Sequence, residues 1–173
     1  MRFVLLIDAL VGALEQELDL LAVLPPERYS EPSAGYFTSS VGQHIRHNLD
    51  HIASFFYGLP HRRIDYESRE RRPDIEVDPK EAACCIRAYV GHLQAMKSAA
   101  DIGLEVREED GSSLENAQWQ RSSLARELQF LLGHTVHHNA LIAQIVYRLD
   151  LPLPKGFGVA PSTERHQSAQ AGA

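Results

Sequence analysis

Apolar residues recur at helical spacing in four stretches of the chain. From Phe3 to Leu24, the residues Ile7, Leu10, Leu14, Leu18 and Leu21 step by three and four, the period of one buried helix face. Pro25-Pro26 stops that segment, because proline lacks an amide hydrogen and crowds the preceding turn. A second segment opens at Ser40. Ser40-Val41-Gly42-Gln43 matches a capping box, and Val41, Ile45, Leu49, Ile52 and Phe56 form the stripe before Gly58 and Pro60. A third opens at Asp78, with Pro79 in the first helical position and Glu81 completing a box. Ile86, Tyr89, Val90, Leu93 and Met96 mark its buried side, and Gly103 is its expected end. The fourth starts at Ser122 or Ser123 and runs to about Asp150. Leu124, Leu128, Leu131, Ile142 and Ile145 share one face, and Pro152 and Pro154 follow.

Four helices of this length predict an all-α fold, a four-helix bundle with long crossover loops. The long connections fall after the second and third helices, so a simple up-down-up-down order is not compelled. Asp110-Gly111 in the later one is a turn signal, with weak support for a short hairpin. A single domain is expected over residues 1–160. The polar, small-residue tail over 161–173 reads as disordered.

Bulk properties narrow the classes. A chain of 173 residues can bury a sizeable core. Its net charge of −6 is the wrong sign for a nucleic-acid or anionic-membrane binder. Asp8 interrupts the early apolar run after five residues, which argues against a signal peptide. No segment reads as membrane-spanning. The two cysteines, Cys84 and Cys85, are adjacent and give no disulfide framework, so the cytoplasm is the expected compartment.

Histidine is the unusual feature. On the fourth helix, at about 100° per residue, His134 and His138 fall with Leu131, Ile142 and Ile145, whereas His137 turns away to the edge. Two inward imidazoles one turn apart can converge on one point. A single ion would satisfy both nitrogens, each of which costs about 1–3 kcal/mol if buried unpaired. The second helix carries His44, His47 and His51. Two histidines from one helix and one from another make the smallest ligand set for an open metal site. Neutral imidazole suits Zn, Ni, Fe or Cu. On the helical wheel, His44 and His51 lie closer to the apolar stripe than His47 does. His61, His92 and His166 read as solvated.

These stretches together resemble the DinB-like family of bacterial four-helix bundles. That family carries one metal-binding His on its second helix, seven residues after a Ser or Thr that opens it, and an H-x-x-x-H pair on its last helix. Ser40 plus seven gives His47, with Asp50 three residues beyond, and the pair is His134 and His138. The "RGQ"-like run that often follows the last His is replaced here by Asn139-Ala140-Leu141. The resemblance implies a metal site of His47, His134 and His138, with His51 and then His44 as the next candidates. It implies one divalent ion (Zn, Ni or Fe) and a thiol S-transferase-like activity.

Three neutral histidines leave the ion's charge uncompensated, so it can activate water or bind a thiolate. The expectation is therefore a metal-dependent enzyme, thiol-transferase-like or hydrolase-like, whose catalytic residues the sequence does not name. The alternative is a non-catalytic bundle with a structural metal. Expected partners are a small-molecule substrate, with a low-molecular-weight thiol as candidate, and a second copy of the chain; nucleic acid and membrane are not expected. Asp50 is a candidate to hold a ligand's second ring nitrogen. Arg62, Arg63, Arg69, Arg71 and Arg72 crowd one loop, read either as solvated ion pairs or as an anion-binding rim.

Overall fold

The computed structural model describes residues 2–33, 38–107 and 118–171. Four long helices occupy the four periodic stretches: α1 (Arg2–Val23), α3 (Val41–Gly58), α5 (Pro79–Ala95) and α6 (Leu124–Arg148). Their starts follow local chemistry. The Ser40 hydroxyl accepts from the Gln43 amide at 3.1 Å while the Gln43 side chain accepts from the Ser40 amide at 3.1 Å, a complete capping box. Asp78 accepts from the Lys80 amide at 2.8 Å, and Ser123 from the Arg126 amide at 3.3 Å.

The chain is not the clean four-helix bundle that its periodicity predicts. Three shorter helices are present, α2 (Pro26–Tyr29), α4 (Pro73–Val77) and α7 (Pro161–Ala171), together with a three-stranded sheet. The sheet has β1 (Arg63–Asp65), β2 (Gly103–Arg107) and β3 (Gln120–Ser123) in the order β1-β2-β3. β1 runs parallel to β2, with Ile64 opposite Val106, and β3 runs antiparallel to β2, with Leu104 opposite Ser122. The crossover loops are thus not bare connections. Their backbones pair with each other, because the Ile64 and Tyr66 side chains both point into the core and leave the intervening amides to be satisfied laterally. Helix α5 ends at Ala95 in a 3₁₀ turn over Met96–Ser98, and Gly103, the expected helix end, instead opens β2. The turn at Asp110-Gly111 lies outside the described residues.

The tail over 161–171 is helical rather than disordered. Glu164, Arg165, Gln167, Ala169 and Gln170 are good helix formers, and Pro161 is pre-set for a first helical position.

The core lies between α1, α3, α5 and α6, where Leu10, Leu14, Ile45, Ile52, Ile86, Leu128 and Ile142 are fully buried. Each such side chain contributes roughly 1.5–3 kcal/mol. Two close approaches seat the additions on α3. A Cβ at Gly42 would stand 2.1 Å from the Glu76 carbonyl oxygen of α4, and one at Gly58 would stand 2.3 Å from the Arg63 oxygen of β1. Tyr29 of α2 donates to the Ile75 carbonyl at 2.7 Å, tying α2 to α4. None of the described helices is long and apolar enough to cross a membrane.

Candidate metal centre

Five imidazoles meet where α3 packs on α6. His44, His47 and His51 come from successive turns of α3, and His134 and His138 from successive turns of α6. The ring centroids of His51 and His134 are 4.0 Å apart, those of His47 and His138 4.7 Å, and those of His134 and His138 4.6 Å. His47 Nε2 and His134 Nε2 approach to 3.2 Å. His137 is exposed at the edge of this group, as its helical angle predicts. Aromatic rings close one side: Tyr66 stacks on His51 at 5.7 Å, and Phe130 lies 5.7 Å from His134.

His47, His51 and His134 each offer a ligand atom within 4.8 Å of the others, so these three can hold a metal ion. The donor chemistry fits. Burial, followed by the neighbouring imidazoles and Arg69, lowers His47 to a pKa of about 4 and holds His134 far below the usual imidazole range. Burial also lowers His51 to about 4 and His138 to about 3, and lowers His44. At neutral pH these rings are therefore uncharged, the form that binds metals. In a tetrahedral site with Zn–N bonds of about 2.0–2.1 Å, two ligating nitrogens stand roughly 3.3 Å apart. The His47–His134 nitrogen pair already has nearly that spacing.

The remaining hydrogen bonds divide the cluster further. His51 Nδ1 donates to the His47 carbonyl at 2.9 Å, and its Nε2 accepts from Arg69 Nη1 at 2.9 Å. Arg69 Nη1 also donates to the Tyr66 carbonyl at 2.5 Å, which anchors the guanidinium beside His51 Nε2. Both nitrogens of His51 are thus engaged. His138 Nδ1 meets His44 Nδ1 at 2.9 Å, and His44 Nε2 meets Ser39 Oγ at 3.1 Å. That chain uses both nitrogens of His44 but only one of His138.

The sequence points to His47, His134 and His138, with His51 and His44 behind them; all five rings are neighbours, but among the described residues the ligand atoms within 4.8 Å of one another belong to His47, His51 and His134, so His51 and not His138 completes that group. The wheel placed His51 nearer the buried stripe, and His51 is the more buried, at 5% exposure. In the sequence Arg69 is one of five arginines in its loop, and nothing in their pattern singles it out. Asp50 does not hold a ligand ring. Its carboxylate, 4% exposed, pairs with Arg46 Nη1 at 2.6 Å, and Arg46 Nε pairs with Glu76 at 2.8 Å. The half-buried Arg46 takes the place expected of the imidazole.

Behind the histidines lies a buried polar floor. Asn48 Nδ2 donates to Glu17 Oε1 at 2.7 Å, and Asn139 Nδ2 donates to the Ala13 carbonyl at 2.9 Å. Burial pushes the Glu17 carboxyl up to about 8, partly offset by Asn48.

No family model matches the chain, and no solved structure matches it. The chain is similar to FK506-binding protein 5 of Rhizopus delemar, 43% identical over 110 residues, which cover 62% of this chain and 28% of that protein. The chain thus spans under a third of that relative's length. These findings do not support the DinB-like resemblance: a short histidine spacing carried it, no family model supports it, and the architecture adds a sheet to the helices. The thiol-transferase activity, which that resemblance alone implies, is left without support from the comparisons.

Proposed function

We propose that the chain binds one divalent transition ion through His47, His134 and His138, and that the ion keeps a coordination position for a small exogenous ligand. The single observation that carries this reading is the 3.2 Å approach of two neutral Nε2 atoms, from His47 and His134, inside a cluster of five imidazoles. His138 supplies the third nitrogen. With its Nδ1–H donated to His44, its Nε2 lone pair is free for an ion, and His44 with Ser39 behind it orients the ring. His51 lies within ligand distance, but Arg69 holds its Nε2, which keeps the set at three.

Three neutral ligands leave the full charge on the ion, so it would polarise a bound water or attract a small anion, a thiolate included. That is the chemistry of a metal-dependent enzyme. A closed four-histidine set would instead be structural. FK506 binding is stated by name for the Rhizopus delemar relative alone and adds no residue to this site.

Metal analysis of purified protein and of single alanine variants tests the reading. About one ion per chain is expected. His47→Ala, His134→Ala and His138→Ala should each lose it, while His51→Ala and His137→Ala keep it. Loss in His51→Ala with retention in His138→Ala would refute the ligand assignment. After Co(II) substitution, a spectrum unchanged by millimolar azide or a small thiol would leave a structural ion.

A further inference from the structure

A second, separate feature lies on the sheet. Cross-strand register sets Arg63 of β1, Glu105 of β2 and Arg121 of β3 side by side on one face. Glu105 pairs with Arg63 at 3.1 Å. Arg121 and the adjoining Arg62 make no ion pair among the described residues, whereas Arg63 does. Three guanidiniums therefore face one carboxylate in a chain of net charge −6. They line a shallow, open cleft of about 450 Å³ that also includes His61 and Ser122. That volume suits a small molecule rather than a lone ion.

Arg62 adds an independent sign of construction. Its backbone is left-handed, at φ 54° and ψ 26°. The left-handed region is unfavourable for a residue with a side chain, and such positions concentrate at functional sites. The surroundings impose it: the Arg62 amide donates to the Leu59 carbonyl at 3.1 Å, and its carbonyl accepts from the Glu105 amide at 2.9 Å. Glycine would satisfy that backbone at no cost, yet the position carries a long cationic side chain. Beside the row, the Arg63 guanidinium stacks on the Trp119 ring at 4.2 Å.

We infer that this cleft is a binding site for a small molecule bearing a phosphate-type oxyanion. Arg62 and Arg121 are its ligands, and Arg63 is divided between Glu105 and Trp119. Two unpaired guanidiniums match the charge of a dianion, and their planar N–H donors match tetrahedral oxyanion geometry. This site does not depend on the metal.

Trp119 is the only tryptophan of the chain, so its emission reports on Arg63 and the cleft. The test titrates inorganic phosphate, glycerol phosphate, acetate and chloride at constant ionic strength. Saturable quenching or enhancement is expected with the two phosphates and not with chloride. Acetate should bind at least about tenfold more weakly, for want of the second charge. Arg62→Gly relieves the backbone, so it should melt no lower than the parent, yet it should weaken phosphate by about tenfold, as should Arg121→Ser. Equal responses to phosphate and chloride, or an Arg62→Gly variant that binds like the parent, would show solvated surface charge only and overturn the inference.

Discussion

Replacing Glu17 with Gln should make the metal-free protein more stable, and by an amount that grows with pH. Glu17 is fully buried, and its carboxyl titrates at about 8 in the fold against an ordinary 4.5. A raised carboxyl pKa means that the native state holds a proton the unfolded chain has released. The fold is thus undisturbed below about pH 4.5 and loses stability as pH climbs toward 8. Each pH unit in that window is worth about 1.36 kcal/mol. At pH 7 the penalty is therefore about 3 kcal/mol, and at pH 5 less than about 1 kcal/mol. Gln keeps the shape, cannot ionise, and can still accept from Asn48 Nδ2, the partner now 2.7 Å from Oε1. Urea unfolding of both proteins with chelator present, from pH 5 to 8, reads the difference directly. A gain of about 3 kcal/mol at an m-value near 2 kcal/mol/M moves the midpoint by roughly 1.5 M at pH 7. A difference that stays flat with pH would show that Glu17 does not hold its proton in the fold. A Gln variant less stable at pH 7 would show that its charge is matched by something the core supplies.

Two further outcomes follow from the histidine cluster. The metal-free protein in the Glu17→Gln background should lose stability as pH falls from about 6.5 toward 4, because rings lowered to about 4 and about 3 stay neutral in the fold but take protons when unfolded. A melting temperature constant over that range would contradict the burial of the cluster. Arg69→Ala should free His51 Nε2 and close the coordination shell. Metal should then bind about tenfold or more tightly, and the Co(II) form should stop responding to azide; affinity no higher than the parent's would remove Arg69 from its assigned role.

Much of this was legible in the chain, and the misses have specific causes. The helices were visible because Leu10, Leu14, Ile45, Leu49, Leu128 and Ile142 must be buried and only the 3.6 period buries them together. The sheet escaped because its signal is short. Ile64 and Tyr66 alternate across Asp65, but three residues inside an arginine-rich run do not register as a strand. β3, with the sequence Gln-Arg-Ser-Ser, has no apolar pattern at all and forms by pairing with β2. Within the site, spacing showed which imidazoles could meet. It could not show that Arg69 would cross from the loop to His51, which depends on where β1 lies against α3; the Arg46–Asp50 pair, one turn apart on α3, is by contrast legible from spacing alone.

The energetics of the cluster argue that it is there for a ligand. Every imidazole in it is driven away from its protonated form, so the fold gives up stability at each ring, most of all in mild acid. The core does not need them. Leu49, Ile52, Leu131 and Ile142, on the same two helices, are buried with no polar atom to satisfy. Leu or Met at positions 47, 134 and 138 would fill similar volume without that cost. The hydrogen bonds present do not explain the histidines either. The Nε2–Nε2 contact of His47 and His134, at 3.2 Å, satisfies one lone pair with one proton and leaves two rings where a single apolar pair would pack better. Polar groups kept against the interest of packing mark sites whose purpose is chemical. A divalent ion reverses the account. Bound as proposed, it would take lone pairs that burial has left unprotonated and would turn a destabilising cluster into a source of folding free energy.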